Sequence, residues 1–188
     1  MYRLRAHIAL LATSVLVLST IPLGAVGAAE PKATGGDEEH CVVTVLDQDA
    51  TGELRLSEPV CFDTFAESMS FASEGTLQLD ADTSGSALFS DESIAAAAST
   101  FTLGVHYDGY NGSGASISVV GSSCTGGYWN TSSSWDNRIS SSWNGCYHLK
   151  HWDYPNMSGT SMHTYGVGQI DNLTSFNNRT ESVSYHSS

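Results

Sequence analysis

Basic residues are scarce in this chain: Lys and Arg together number 7, against 20 Asp and Glu, for a formal net charge of −13. Two of the seven, Arg3 and Arg5, precede the apolar run at the N-terminus. An acidic surface repels the phosphates of nucleic acids and the headgroups of anionic lipids. The composition therefore argues against nucleic acid and anionic membranes as partners.

The signatures of common catalytic and nucleotide-binding sites are also missing. The chain contains no Gly-x-Ser-x-Gly elbow, no His-Glu-x-x-His zinc motif, no phosphate-binding loop and no dinucleotide fingerprint. No nucleophile with a base at a matching spacing can be identified. We therefore predict that the protein is not an enzyme.

Long apolar runs are confined to the N-terminus. Residues 8–27 are mostly apolar, follow two arginines and end at the small residues Ala28 and Ala29. This order is typical of a signal peptide, so we expect residues 1–29 to be removed and the protein to be secreted. A membrane anchor is the alternative, but polar residues and helix breakers interrupt the run.

The chain has four cysteines, and no pair of them has Cys-x-x-Cys spacing. That absence argues against a zinc site. An even number in an exported chain predicts two disulfides, for which three connectivities exist. We favour Cys41 with Cys61 and Cys124 with Cys146, because each bond then lies within one compositional half of the chain.

Acidic residues are concentrated in the first half. Residues 30–95 are predicted to form a small acidic α+β segment, which is either a subdomain or a pro-segment removed on maturation. Periodicity and turn residues predict its elements. They are a strand at 41–46, a helix at 62–72, a strand at 76–79 and a short helix through the alanines at 95–98 that Ser90 caps.

The second half, residues 96–188, contains an internal repeat. HYDGYNGSGASI at 106–117 aligns with HWDYPNMSGTSM at 151–162, and WDNRISS at 135–141 aligns with FNNRTES at 176–182. Both copies are rich in Ser, Gly and Asn, a composition typical of short strands joined by tight turns. Neither copy has enough apolar residues to fold alone, so we predict two β units that share one core.

The repeat resembles the βγ-crystallin family, whose units pair an aromatic and glycine-containing hairpin with an Asn/Asp-Asn/Asp-x-x-Ser/Thr-Ser loop. DNRISS at 136–141 satisfies this loop motif in full, and NNRTES at 177–182 departs from it only at Glu181. The second half also resembles small secreted actinobacterial proteins of this type. The resemblance implies an all-β fold in which two Greek-key motifs form a β-sandwich.

In that family the loops bind calcium, so the resemblance implies two Ca²⁺ sites. The Arg138 carbonyl and the Ser140 hydroxyl would serve one site, and the Arg179 carbonyl and the Glu181 carboxylate the other. Ca²⁺ accepts such hard oxygen ligands, and so few carboxylates imply weak binding, with a Kd of about 10⁻⁵ to 10⁻³ M. The other residues implied to ligate or shape the sites are Asp136, Asn137, Asn177, Asn178, Asp108 and Asp153. Alternatively, the loops are metal-free corners, because Asn, Asp and Ser readily bond their own backbone.

A second hypothesis is a secreted peptidase inhibitor or toxin-like binding protein, because such proteins share this fold. Its working part would be an exposed loop within 121–135, with a protein or a glycan as partner. The contact residues would be Tyr128, Trp129 and Trp135, since aromatic side chains are enriched at interfaces.

Histidines are concentrated in the second half, which raises the question of a transition-metal site. His148 and His151 are three residues apart, and on a strand this spacing places them on opposite faces. They are therefore not expected to share one ion. His106 and His151 align in the repeat, and we expect both to occupy framework positions.

Overall fold

The structure is a computed structural model that describes residues 38–188. The proposed signal peptide lies outside the described residues. The elements are eleven strands and three helices, together with short 3-10 turns at Tyr110–Gly112 and Thr174–Phe176. The strands are β1 His40–Gln48, β2 Leu54–Leu56, β3 Val60–Phe62, β4 Thr102–Tyr107, β5 Ser116–Val120, β6 Thr125–Asn130, β7 Ser141–Asn144, β8 His148–Tyr154, β9 Ser158–Tyr165, β10 Ile170–Asn172 and β11 Ser182–His186. The helices are α1 Phe65–Ala72, α2 Ala87–Ser90 and α3 Glu92–Ala98.

The strands form two sheets, so the fold is mostly β, as predicted. The first sheet has seven strands in the order β10-β7-β4-β5-β1-β2, with β3 also paired to β1. The second has four strands in the order β6-β11-β8-β9. Side chains from both sheets, including Ile117 and Val119 of the first and Leu149 and Val183 of the second, form one buried cluster.

The two repeat units exchange strands between the sheets. The first unit contains β4 to β7 and the second contains β8 to β11. Each sheet holds the first, second and fourth strands of one unit, together with the third strand of the other: β10 joins β7, and β6 joins β11. Apolar residues of both units therefore pack in one core between the sheets.

The acidic segment belongs to the same sheet as the first repeat unit. Strand β1 runs parallel to β5, with Cys41 opposite Ile117 and Val43 opposite Val119. The helices of the segment then cover the outer face of the first sheet, where Met69 packs in a cluster with Trp143. The first sheet is thus covered on both faces, and β4 is accordingly buried along its whole length.

Three details of the segment differ from the sequence predictions. Residues 76–79 are not a strand, because the Leu77 N–H donates to the Ser73 hydroxyl and the chain turns back onto α1. The first helix begins at Phe65, since 60–62 is drawn into β3 and Thr64 accepts the capping bond. Helix α3 is capped by Asp91, whose carboxylate accepts two backbone N–H groups, and Ser90 instead ends α2.

Both disulfides form with the favoured pairing. Cys41–Cys61 joins the neighbouring strands β1 and β3, and Cys124–Cys146 joins the residue before β6 to the loop after β7. The described chain has no free cysteine. Two disulfides indicate a non-reducing environment for the folded protein. None of the helices in residues 38–188 is long and apolar enough to cross a membrane.

Candidate functional site

The loops at 135–141 and 176–182, here called the paired loops, lie side by side and bond to each other reciprocally. The Asn137 N–H donates to the Thr180 carbonyl, and the Asn178 N–H donates to the Ile139 carbonyl, each over 3.0 Å. Both asparagines have left-handed backbones, with φ of 54° and 55°, a conformation that Asn tolerates better than most residues. The repeat thus builds a local two-fold arrangement.

The side chains of the paired loops continue this reciprocity. The Ser140 hydroxyl donates to Oδ1 of Asn178 over 3.3 Å. At the matching place, the Asn137 side-chain amide donates to Oε1 of Glu181 over 3.2 Å. Ser140 and Glu181, which the sequence assigned to separate sites, therefore each face the asparagine of the opposite loop.

Several oxygens of the paired loops lack a protein donor. No group in residues 38–188 donates a hydrogen bond to the carbonyl oxygens of Arg138 and Arg179. In the second loop, Oδ1 of Asn177 and Oγ1 of Thr180 are buried without a hydrogen-bond partner in the described part of the chain. Buried polar atoms normally find a protein, water or ion partner. The paired loops therefore present oxygens suited to water or to a hard cation.

Thr180 was not among the residues that the sequence singled out. It aligns with Ile139 of the first loop, which is fully buried in the core between the sheets. The sequence does contain an indication of its role, because Thr180 places a hydroxyl where the other copy has an apolar side chain. The loop motif leaves this position unspecified, so the motif does not indicate Thr180.

The arginines of the paired loops hold the two aspartates of the hairpins. Arg138 donates to Oδ2 of Asp108 from Nη2 over 2.8 Å and from Nε over 3.2 Å. Arg179 donates to Oδ2 of Asp153 over 3.0 Å. Each guanidinium also lies over the aromatic ring three residues earlier, with 5.0 Å to the centre of the Trp135 ring in the first loop. Asp108 and Asp153 thus anchor the arginine of their own repeat unit.

Asp153 is held more tightly than an exposed carboxylate. It accepts the Thr160 N–H over 2.7 Å and the Thr160 hydroxyl over 2.5 Å. These bonds, above all the one from the hydroxyl, and the nearby Arg179 lower the pKa of Asp153. Its carboxylate is already committed to the hairpin, which leaves Glu181 and Asp136 as the carboxylates of the paired loops themselves.

One cluster of three close metal-ligand atoms occurs within residues 38–188, and it lies elsewhere. It consists of Glu39, Cys41 and Cys61. Both sulfurs are joined in a disulfide and cannot act as thiolate ligands. This group is therefore not a metal site.

The aromatic residues expected on an exposed binding loop are buried. Tyr128, Trp129 and Trp135 are each no more than 6% exposed, so they do not project toward a partner as that hypothesis required. Trp129 and Trp135 pack in the core cluster between the sheets. Tyr128 packs beside Gly52, whose carbonyl accepts the Tyr128 N–H over 3.0 Å. Trp129 and Trp135 do border a cavity of about 530 Å³, beside Arg138 and the Cys41–Cys61 disulfide.

His106 and His151 are fully buried, as expected of framework residues. The Ser142 hydroxyl lies between them, 2.7 Å from Nδ1 of His106 and 2.9 Å from Nε2 of His151. Nε2 of His106 lies 2.9 Å from the Tyr185 hydroxyl. This row of polar groups crosses the core between the sheets and reaches no solvent.

Comparisons with known proteins add no relative. Neither protein-family models, nor curated proteins, nor solved structures give a match to this chain. The function is therefore argued from the residues and their geometry.

Proposed function

We propose that this protein is a secreted, non-enzymatic β-sandwich module of βγ-crystallin type that binds Ca²⁺ weakly at its paired loops. The reciprocal bonding of the two loops is the observation that carries the proposal. It holds side by side the two loops that carry the proposed ligands. We call the loop with the Arg138 carbonyl and the Ser140 hydroxyl one corner, and the loop with the Arg179 carbonyl and the Glu181 carboxylate the other. These are the oxygen types that calcium prefers.

The strand order supports the βγ-crystallin type. In a Greek key the fourth strand lies beside the first, and the first beside the second. The strand orders β7-β4-β5 and β11-β8-β9 have this form. The acidic segment would be an addition at the β5 edge of such a sandwich, where β1 pairs.

The disulfides support secretion. Both join cysteines that lie close in the fold, and bonds of this kind persist in oxidising compartments. An extracellular setting also suits a weak calcium site, because sites of extracellular modules operate at Kd values of about 10⁻⁴ to 10⁻³ M.

The charge balance at the loops explains why the affinity would be weak. Arg138 and Arg179 bring positive charge next to the corners, although each is largely neutralised by its aspartate. Glu181 contributes the one carboxylate at the fifth motif position, and Ser140 offers a neutral hydroxyl at the equivalent place. The corner with Glu181 should therefore bind more tightly than the corner with Ser140.

Calorimetric titration of the purified protein with CaCl₂, together with thermal melts with and without EDTA, tests the proposal. We expect a stoichiometry of one or two. At 100 times the Kd, calcium should stabilise the fold by about 2.7 kcal/mol. Glu181→Gln should abolish the tighter site and Ser140→Ala should weaken the other. Ser134→Ala is the matched control, since that hydroxyl bonds the neighbouring Ser132.

The opposite result is equally clear. If neither heat nor melting temperature responds to calcium, the paired loops are metal-free corners held by their own hydrogen bonds. Equal loss of binding in the Ser134→Ala control would show that the ion lies outside the corners.

A second candidate function is glycan binding in the cavity beside Trp129 and Trp135. Its volume is in the range of small-ligand sites, and Ser57, Glu58 and Arg138 supply polar groups at its wall. Saturation-transfer NMR with a panel of oligosaccharides tests this, with Trp129→Phe expected to reduce the signal and an unchanged spectrum arguing against it.

A further inference from the structure

Three histidines share the outer face of the second sheet. His148 lies on β8, His163 on β9 and His186 on β11. His186 pairs directly with His148, and His163 lies opposite Lys150, two residues along β8 from His148. Side chains two apart on a strand share a face, so His148 lies directly beside His186 and diagonally beside His163. Strand β8 separates His163 from His186.

The His148 and His163 rings are close enough to bind one ion. His186 would have to rotate to join them, because the three side chains do not bring three ring nitrogens within 4.8 Å of one another. Nε2 of His148 lies 3.0 Å from Nδ1 of His163. The ring centres of His148 and His186 are 5.2 Å apart. The Tyr165 hydroxyl lies 3.1 Å from Nδ1 of His163, and the Tyr165 ring stacks on His148 at 4.5 Å. These contacts fix the directions of the His148 and His163 rings.

The protonation state of the cluster suits metal ligation. A hydrogen bond between two ring nitrogens requires one of them to accept, so His148 and His163 cannot both be imidazolium. Neutral imidazole is the form that binds a metal, and the contact between His148 and His163 keeps at least one ring of the pair neutral.

We propose that His148, His163 and His186 form a surface site for a borderline divalent transition-metal ion such as Zn²⁺ or Cu²⁺. Imidazole nitrogens suit these ions, and a tetrahedral ion with bonds of about 2.0 to 2.1 Å needs ligand nitrogens roughly 3.3 Å apart. The 3.0 Å pair is near that separation. The ion replaces the hydrogen bond between His148 and His163, and His186 completes the site by rotating its ring.

The site is independent of the calcium corners in position and in chemistry. It lies on β8, β9 and β11 and offers nitrogen, whereas the paired loops offer oxygen, which borderline ions prefer less. Sequence spacing considered only His148 with His151 and placed them on opposite faces of a strand; His151 is buried. The relevant partners come from neighbouring strands and become visible only in the register of the sheet.

Lys150 is the charged group nearest to the three rings. Lys150 lies opposite His163 in the sheet, and its ammonium lies 3.9 Å from the centre of the Trp152 ring. A cation on the same sheet face opposes the binding of a divalent ion. Lys150→Gln should therefore increase the affinity for the metal ion. If the three rings only pack against one another and bind no ion, the same substitution should leave Zn²⁺ affinity unchanged.

Titration with ZnCl₂ in competition with a chromophoric chelator tests the proposal. We expect one Zn²⁺ per chain, and His163→Ala or His148→Ala should weaken binding by at least about tenfold, since even indirect disruption of a metal site costs that much. His40→Gln is the control, because His40 lies on β1 and bonds Ser116. Thermal melts in EDTA should be similar for the His163→Ala and wild-type proteins, since His163 is exposed.

Two results would overturn the site. The first is wild-type binding no tighter than that of His163→Ala and His148→Ala. The second is displacement of the bound Zn²⁺ by excess CaCl₂, which would place the ion at the paired loops. If the wild-type protein binds Zn²⁺ but shows no calcium binding, the proposed function is overturned and the histidine site remains supported.

Discussion

His106 and His151, which align in the repeat, meet in the core with their ring centres 5.8 Å apart and nearly perpendicular. Two titratable groups thus lie edge to face where no solvent reaches them. Nδ1 of His151 has no hydrogen-bond partner among the described residues. The core therefore favours neutral imidazole, because it provides no acceptor or counter-charge for the additional proton of an imidazolium.

The first prediction is that the protein loses stability as pH falls below about 6.5. Burial lowers the pKa of His151 to about 3 and lowers the pKa of His106 well below its ordinary value of 6.5, with the neighbouring His151 adding to the effect on His106. Because the unfolded chain binds these protons near pH 6.5 and the folded one does not, acid favours unfolding. Each histidine should cost about 1.4 kcal/mol per pH unit below 6.5.

Urea unfolding between pH 5 and pH 7.5 in EDTA measures this effect. The range lies above the pKa of ordinary carboxylates, so histidines dominate the slope. The half-buried and exposed histidines, whose pKa values are also lowered, act in the same direction. His151→Gln should reduce the slope by about one proton. A free energy of unfolding that is constant from pH 7.5 to 5 would contradict the prediction.

The repeat made much of this architecture predictable. Equivalent residues do occupy equivalent places: Asp108 and Asp153 both hold an arginine, and Asn137 and Asn178 share a left-handed backbone. Turn-forming residues encode these features locally, and local features can be read from one copy and checked in the other. The disulfide pairing was predictable for a similar reason. Each bond lies within one compositional half of the chain and joins cysteines that are close in sequence.

Long-range pairing was not predictable in the same way. Nothing in 40–48 or 116–120 indicates that β1 and β5 run side by side, because parallel pairing depends on how the intervening chain packs. The burial of Trp129 likewise depends on β6 crossing to the other sheet. Residues 76–79 have strand-like composition, but local bonds to Ser73 outweigh that preference.

The second prediction concerns the ion pair of Arg138 with Asp108. Both side chains are partly exposed, at 41% and 24%, so water screens their attraction. A double-mutant cycle with Arg138→Gln and Asp108→Asn should give a coupling energy of about 0.5 to 1 kcal/mol that falls with added salt. The more exposed pair of Arg55 with Asp47 is the control and should couple less. A coupling of several kcal/mol would show that the pair is effectively desolvated.

The third prediction concerns Gly145, which follows β7. Its N–H and that of Cys146 both donate to the Leu103 carbonyl over 3.1 Å. A Cβ at this position would lie 1.8 Å from the backbone carbonyl oxygen of Thr102, and backbone cannot yield as a side chain can. Gly145→Ala should therefore cost about 3 kcal/mol, the upper range for overpacking.

Gly121→Ala is the matched control for this clash. Its added Cβ would approach only side-chain atoms of Leu103 and Val45, at 3.2 Å. These atoms can shift by a few tenths of an ångström, so the cost should stay below about 1 kcal/mol. Chemical unfolding of both variants compares them directly, and equal stability losses would show that the contact at Gly145 relaxes.

The fourth prediction is that residues 96–188 do not fold without the acidic segment. Removing the segment would strip β1 from β5 and expose the apolar face of the first sheet, where Tyr107 and Trp143 are fully buried. An uncovered edge and an apolar face of this kind favour aggregation. We expect the fragment to bind a hydrophobic dye and to lack a cooperative melt, even with Cys124–Cys146 intact.

The control keeps the segment and removes its disulfide. Replacing Cys41 and Cys61 by alanine should leave a cooperative fold that is less stable by roughly 3 kcal/mol, the loop-entropy value for a bond of this span. The contrast separates the packing of the segment from its covalent tie. A folded 96–188 fragment with a melt near that of the longer chain would contradict the prediction and favour the pro-segment hypothesis, because a segment that is removed on maturation cannot be required by the mature core.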